Sequence, residues 1–305
     1  MALELDSASA GFSRLVDADA PFDRIAHGLY FGEGPVWDRR TKQLYWVDII
    51  GNTIWKWRPG GGQDIVMRPS AHANGMTFDR EGRLNVAGWC SRSVWRFEPD
   101  GTCTTLASHY DGVKINTPND IVVRSDGQVY FTDSAGGLVI PGMVAEDVQR
   151  YLDFQGVYRV GGDAATGGSD RLQLASDEVS YPNGLAFSPD EKLLYVNDTR
   201  QAYIRVFDVN ADGSLGPGRR FHDMTGTEGG VADGMKCDSE GNVWCTGPGG
   251  LHVIDPSGKL LGRIFVPSHH ATNFCWGGDD WRTLYITTFT SVWRTRVKLP
   301  GIPVW

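Results

Sequence analysis

The chain of 305 residues is 41% hydrophobic and 22% charged, which is typical of a globular protein with a large core and argues against a disordered chain. Its formal net charge of -8 argues against nucleic acid as a partner, because phosphate contacts need a concentrated positive surface. The 39 glycines and 11 tryptophans favour short strands joined by tight turns, as in all-β proteins.

The first 20 residues, MALELDSASAGFSRLVDADA, form an N-terminal extension that lacks the basic and apolar regions of a signal peptide. No apolar run of about 18 residues occurs in the chain, so the sequence predicts no membrane partner. The five cysteines are odd in number and form no CxxC pair, which favours reduced thiols and a cytoplasmic location. The sequence leaves the oligomeric state open.

Six segments share one pattern: a polar residue, a short apolar strand, a turn rich in Asp and Gly, and a second strand that ends in a small or acidic residue. They are EGPVWDRRTKQLYWVD from Glu33, NGMTFDREGRLNVAG from Asn74, NDIVVRSDGQVYFTD from Asn119, NGLAFSPDEKLLYVND from Asn183, DGMKCDSEGNVWCTG from Asp233 and NFCWGGDDWRTLYITT from Asn273. Most of these starts lie about forty residues apart, which is the usual length of a four-stranded blade.

Each repeated segment has the pattern of the inner hairpin of a blade, and outer strands follow several of them, such as SVWRFEP and CTTLASHY in the second. The last repeat has a third strand, SVWRTRV, but nothing after it that resembles a fourth. The segment FDRIAHGLYF, ahead of Glu33, supplies that strand and removes the exposed edges. The sequence therefore predicts an all-β, six-bladed β-propeller over residues 1–305, closed by an N-terminal strand.

The long link between the third and fourth repeats contains an insertion over residues 135–155, AGGLVIPGMVAEDVQRYLDFQ. Its glycines and proline favour a loop outside the blade, and EDVQRYLDF has the pattern of a short helix. We expect this insertion to cover the channel mouth and to shape a pocket there. The alternative is an ordinary long loop.

The first residue of each inner strand faces the central axis of a propeller, so six side chains with an oxygen atom are expected to form one ring. Such a ring suits a hard divalent cation such as calcium or magnesium, and it leaves manganese, zinc or iron(II) open. The alternative is that Asn and Asp before Gly only make turns. The six ring residues are Glu33, Asn74, Asn119, Asn183, Asp233 and Asn273.

The segments GEGPVWD, TPNDIVV, YPNGLAFSPDEKLLYVND, ADGMK and TNFCWGGDDWRTLYIT, taken together and in this order, resemble the SMP-30/gluconolactonase family over about residues 20–295. The resemblance implies a six-bladed propeller with one divalent metal ion held by Glu33, Asn183 and Asp233. It places Asn119 beside the metal, in contact with the ion or the substrate. Regucalcin-like members carry an arginine two residues before that Asn, where this chain has Thr117.

The same resemblance implies hydrolysis of a small lactone, most simply a sugar lactone such as gluconolactone. A metal ion polarises the lactone carbonyl and lowers the pKa of a water, and Asp233 is the candidate for general base beside a metal-bound hydroxide acting alone. Asn119, Asn74 and Asn273 are candidates for substrate binding. The alternatives are hydrolysis of other lactones or of organophosphate esters, and a non-catalytic calcium-binding propeller.

Overall fold

The computed structural model describes residues 3–162, 168–267 and 270–305. This part of the chain contains 27 strands, and its helices are two short 3-10 turns, Phe12–Arg14 and Gly136–Leu138. Neither helix is long and apolar enough to cross a membrane. Six antiparallel sheets of four or five strands account for all the strands except one small hairpin, and this arrangement confirms the predicted six-bladed propeller.

The strands are numbered in chain order, and two of them precede the first blade: Glu4–Ser7 (β1) and Asp23–His27 (β2). Blades 1 to 3 and the small hairpin before blade 3 then follow, with these bounds: Gly32–Asp38 (β3), Gln43–Asp48 (β4), Thr53–Trp57 (β5), Gln63–Met67 (β6); Met76–Phe78 (β7), Leu84–Gly88 (β8), Ser93–Phe97 (β9), Cys103–Ala107 (β10); His109–Tyr110 (β11), Val113–Lys114 (β12); Thr117–Val123 (β13), Gln128–Ser134 (β14), Gly156–Gly161 (β15), Ser169–Ser176 (β16).

Blades 4 to 6 contain the remaining strands, with these bounds: Pro182–Phe187 (β17), Leu193–Asp198 (β18), Tyr203–Asp208 (β19), Arg219–Asp223 (β20); Met235–Cys237 (β21), Val243–Gly247 (β22), Gly250–Ile254 (β23), Leu260–Phe265 (β24); Ala271–Gly277 (β25), Thr283–Thr288 (β26), Ser291–Arg296 (β27).

Both N-terminal strands complete blades formed by later parts of the chain. β2 pairs with β27, with Asp23 opposite Arg294, which confirms the predicted closure of the last blade. β1 was not predicted as a strand, and it pairs with β24 as the fifth strand of blade 5, with Glu4 opposite Phe265. Part of the extension at residues 1–20 is therefore built into a blade.

Acidic residues at the ends of second strands fix the corners of the blades. Asp48 accepts hydrogen bonds from the backbone N–H groups of Tyr30 and Phe31, in the link that enters blade 1, and of Gly51, in the link between β4 and β5. In the same way, Asp198 accepts from the backbone N–H groups of Ser180, Tyr181, Arg200 and Gln201. The link between the second and third strands is thereby tied to the link that enters the blade, which satisfies buried backbone donors.

These corners lie at the end of the channel where the inner strands begin, because Gly32 pairs with Asp48 and Thr117 with Ser134. We call this end the mouth. The insertion at residues 135–155 joins β14 to β15, so it also lies at the mouth end. Its segment EDVQRYLDF contains neither helix nor strand, and the predicted helix is wrong. Arg92 of blade 2 binds the carbonyl groups of Asp147 and Gln149, which a helix would need for its own hydrogen bonds.

The C-terminal residues cross the other end of the channel. The backbone N–H of Ile302 donates to the carbonyl of Cys237 in blade 5, and Nε1 of Trp305 donates to the carbonyl of Val123 in blade 3. The guanidinium of Arg80, from blade 2, lies 4.4 Å from the centre of the Trp305 ring. Above this segment is a cavity of about 320 Å³, whose walls include the inner-strand residues Thr77, Val122, Ala186 and Lys236.

Candidate active site

All six predicted ring residues are buried around the mouth end of the channel. Four lie within the first three residues of an inner strand, whereas Asn74 and Asp233 lie two residues before the shorter strands β7 and β21. The ring is compact because neighbouring inner strands touch through glycine: a Cβ at Gly184 would lie 2.1 Å from the carbonyl oxygen of Asp233. The exposed fractions are 3% for Glu33, 4% for Asn74, 5% for Asn119, 6% for Asn183, 9% for Asp233 and 3% for Asn273.

One carboxylate oxygen of Glu33 is bonded and the other is not. Oε2 accepts from the backbone N–H of Gly34 at 2.6 Å and from Nδ2 of Asn273 at 2.9 Å. Oε1 is buried and has no hydrogen-bond partner among the residues that the structure describes. Burial raises the pKa of Glu33 to about 7, against the lowering effect of the two hydrogen bonds. Asn273 therefore orients Glu33, and its amide is engaged before any substrate arrives.

Asp233 and Asn183 lie side by side across blades 4 and 5. Nδ2 of Asn183 donates to Oγ1 of Thr199 at 3.0 Å, and that hydroxyl donates to the carbonyl of Ala232 at 2.6 Å. Burial, and then the charge of Glu33, raise the pKa of Asp233 well above its ordinary value. Anchoring the amide nitrogen of Asn183 leaves its oxygen as the atom available to a cation.

Two charged residues near the ring were not among the predicted site residues. The buried Asp120 and the partly buried Lys236 form an ion pair with 3.3 Å between Oδ2 and Nζ, and Nζ also lies 3.5 Å from Oδ1 of Asn273. The sequence carried a signal for each: Asp120 stands where four of the six repeats have glycine, and Lys236 is the charged residue at the fourth position of the motif.

The amides of Asn74 and Asn119 are available to a ligand. Neither side chain has a hydrogen-bond partner within the described ranges, and Oδ1 of Asn74 is fully buried. Thr117, by contrast, is engaged in holding the insertion. Its Oγ1 donates to the carbonyl of Ser134 and accepts from the backbone N–H of Gly137 at 3.0 Å. This position supports the insertion rather than presenting a charged group to a substrate.

The donor set of the ring fits a hard divalent cation. Glu33 and Asn74 each present a buried oxygen without a partner, and such atoms are costly unless a hydrogen bond or a metal ion satisfies them. The carboxylates of Glu33, Asp120 and Asp233 face the single ammonium of Lys236, so negative charge is in excess. Within the described ranges no cluster of three or more His, Cys, Asp or Glu side chains forms a metal site, so amide oxygens must complete the set.

The insertion forms one wall of the mouth beside Asn119. Its 3-10 turn lies between Trp89 of blade 2 and Tyr181 of blade 4, and a Cβ at Gly136 would lie 2.4 Å from the Tyr181 hydroxyl and 2.5 Å from the Trp89 ring. The guanidinium of Arg200 lies 4.4 Å from the centre of the Tyr181 ring. Aromatic side chains, a cation and free amides therefore surround the opening above the ring, an arrangement suited to a small polar ligand.

Comparisons with known proteins match this chain along most of its length. Residues 31–290 match the family model for the SMP-30/Gluconolactonase/LRE-like region. A gluconolactonase of Zymomonas mobilis is 31% identical, covering 94% of this chain and 84% of that one, and a pentonolactonase of Haloferax volcanii is 30% identical, covering 84% and 81%.

Solved structures show the same relationship. The structure of a gluconolactonase from Xanthomonas campestris superimposes with a TM-score of 0.86 at 32% identity, covering 96% of this chain and 94% of that one. The predicted family is confirmed: the chain belongs to the SMP-30/gluconolactonase/LRE-like family.

Proposed function

We propose that this protein opens a small sugar lactone, such as gluconolactone, to the hydroxy acid, with one divalent metal ion held by Glu33, Asn183 and Asp233. The protein is a lactonase: relatives named as lactonases are about 30% identical to it over most of its length. The observation that supports the metal is the buried Oε1 of Glu33, which has no hydrogen-bond partner among the described residues and lies beside carboxylates in excess of positive charge.

A lactone is a cyclic ester, so its hydrolysis needs a nucleophilic water and stabilisation of the negative charge that forms on the carbonyl oxygen. A bound divalent ion supplies Lewis-acid polarisation and a more acidic water. We assign Asp233 as a ligand and as the base that takes a proton from the attacking water. Water adds to the carbonyl carbon, the ring C–O bond breaks, and the leaving oxygen receives that proton.

In this proposal the remaining ring residues bind the lactone or orient the metal ligand Glu33. The free amides of Asn119 and Asn74 donate to, or accept from, the hydroxyl groups and the carbonyl of the lactone. Asn273 holds Glu33 through the 2.9 Å hydrogen bond from its Nδ2, so its contribution to substrate binding is made largely through that carboxylate. Lys236 and Asp120, as a pair, keep Asn273 in place from below.

The test is an assay of metal-free protein with gluconolactone, xylonolactone and arabinolactone while calcium, magnesium, manganese, zinc or iron(II) is added back in turn. We expect negligible turnover without metal and recovery of at least about a hundredfold with the cognate ion. A Glu33→Gln variant should bind the ion more weakly, and Asp79→Asn, which alters a buried carboxylate at the far end of blade 2, should bind it normally.

The specificity of the site is tested with an aliphatic lactone and a phosphotriester alongside the sugar lactones. If the aliphatic lactone or the phosphotriester is hydrolysed faster than the sugar lactones, that compound class, and not the sugar lactones, is the preferred substrate. Full activity of the metal-free protein would contradict the proposed need for a metal ion. A metal-loaded protein that hydrolyses none of the lactones would favour a non-catalytic calcium-binding propeller instead.

A further inference from the structure

Arg92 is a fully buried arginine near the mouth, and neither the ring nor the proposed chemistry uses it. It lies in the link between β8 and β9, three residues after Trp89, with a left-handed φ of 52° and an exposed fraction of 1%. A buried guanidinium is costly to desolvate, and it persists only where its donors find acceptors. The acceptors of Arg92 are backbone carbonyl groups of two different segments.

The first segment leads into the inner strand of blade 3. Nε of Arg92 donates to the carbonyl oxygens of Ile115 and Asn116, both at 2.9 Å, and Nη2 donates to Ile115 at 2.6 Å. The next residue in the chain is Thr117, which holds the turn at Gly137, and Asn119 of the ring follows two residues later. The guanidinium therefore fixes the backbone from which a predicted substrate-binding residue projects.

The second segment is the insertion. Nη1 of Arg92 donates to the carbonyl oxygens of Asp147 and Gln149, both at 2.9 Å, and lies 3.5 Å from the Asp147 carboxylate. Trp89, in the same link, donates from Nε1 to the carbonyl of Met143 at 2.8 Å. Blade 2 thus holds the insertion at three carbonyl groups, two of which lie in the segment where a helix was predicted.

Comparison with the other blades explains why this connection is needed. In blades 1 and 4 the acid that ends the second strand accepts N–H groups from both corner links, which ties them together. Within the described part of the chain, the equivalent acid of blade 3, Asp133, accepts from Asn116 alone, and its Oδ1 has no partner. The insertion has displaced the ordinary corner link, and Arg92 makes the connection from the neighbouring blade.

We propose that Arg92 is a positioning residue for substrate binding, because it holds the insertion and the start of β13 in one arrangement around the mouth. Its effect on turnover rests on the proposed lactone hydrolysis, whereas its effect on the insertion does not. Lysine cannot replace it, since one ammonium cannot reach four carbonyl groups that a planar guanidinium spans.

The experiment compares Arg92→Lys with Arg159→Lys. Arg159 is a buried arginine of blade 3 that bonds Gln128 and the carbonyl of Asp212 at the far end of the blade, so its loss controls for general destabilisation. We expect Arg92→Lys to raise KM about tenfold with less than about a twofold change in kcat, and Arg159→Lys to leave KM unchanged.

Hydrogen exchange of the backbone amides at residues 139–150 is the readout that does not depend on activity. It should be at least about tenfold faster in Arg92→Lys and unchanged in Arg159→Lys. Trp89→Phe, which removes the hydrogen bond to Met143, serves as a second variant if the lysine variant does not fold, and it should also accelerate exchange. Unchanged KM and exchange in a folded Arg92→Lys protein, or equal changes in both arginine variants, would overturn the proposal.

Discussion

At the scale of single residues, burial changes the acidity of two carboxyl groups of the ring. Burial raises the pKa of Glu33 to about 7 and that of Asp233 well above its ordinary value, and the charge of Glu33 adds to the effect on Asp233. The same burial makes the charged pair unfavourable without a counter-ion. The divalent cation that we propose would stabilise the charged forms and so lower both pKa values.

The base role of Asp233 predicts the behaviour of Asp233→Asn. An amide keeps an oxygen for the cation, although it binds the ion more weakly than a carboxylate does, and it cannot accept the proton. At a metal concentration that keeps the site filled, as measured by elemental analysis, we therefore expect kcat to fall by about a hundredfold or more. Asp79→Asn is the matched change of a buried carboxylate outside the channel and should keep its kcat. Undiminished turnover across pH in Asp233→Asn would assign the proton transfer to the metal-bound water alone.

His252 predicts how the stability of the fold depends on acid. Its side chain is buried, with Nε2 bonded to the carbonyl of Pro248 at 2.9 Å, and burial lowers its pKa from 6.5 to about 4. The unfolded chain therefore binds a proton at higher pH than the folded protein does. The contribution of neutral His252 to the free energy of unfolding is fully present above pH 6.5. It is lost as the pH drops from 6.5 to about 4, and the total loss is about 3 kcal/mol.

Urea denaturation of the wild type and His252→Gln at pH 7 and pH 4.5 measures this contribution. The variant should lose less stability than the wild type between the two pH values, whereas His109→Gln, at an exposed histidine, should behave as the wild type does. Equal losses in all three proteins would remove His252 as the cause.

At the scale of elements, the inner hairpins were predictable because each has its own turn residues and its own alternation. The ring was predictable for the same reason, since one register recurs six times. Strand β1 could not be predicted, because the segment ELDS forms a strand only by pairing with β24, and the local sequence does not reveal that neighbour. The helix predicted in the insertion is absent because Arg92 binds the carbonyl groups of Asp147 and Gln149. Contacts between distant segments decided both outcomes.

The two N-terminal strands predict different effects of truncation. Removing residues 1–8 deletes β1 and the ion pair between Asp6 and Arg263, at a cost of about 1–2 kcal/mol, and blade 5 keeps its four other strands. Removing residues 1–28 also deletes β2 and leaves β27 as an open edge, so we expect loss of cooperative folding. Thermal unfolding followed by circular dichroism distinguishes the two. Similar melting temperatures would show that closure by β2 is dispensable.

At the scale of the whole molecule, the repeat and the insertion contribute different parts of the mouth. Six similar hairpins place six side chains with oxygen atoms around the axis, and the insertion in blade 3 supplies a wall of the opening above them. That wall includes Trp89, Tyr181 and the glycines of the insertion. Since loops on a rigid scaffold often determine what a protein binds, we expect this wall to influence which ligand fits the opening.

The C-terminal segment that crosses the far end of the channel connects blades outside the repeat that builds them. Ile302 and Trp305 bond to blades 5 and 3, and the guanidinium of Arg80, from blade 2, covers the Trp305 ring. Three blades that share no sheet are thereby joined through one short stretch of chain at the end opposite the mouth.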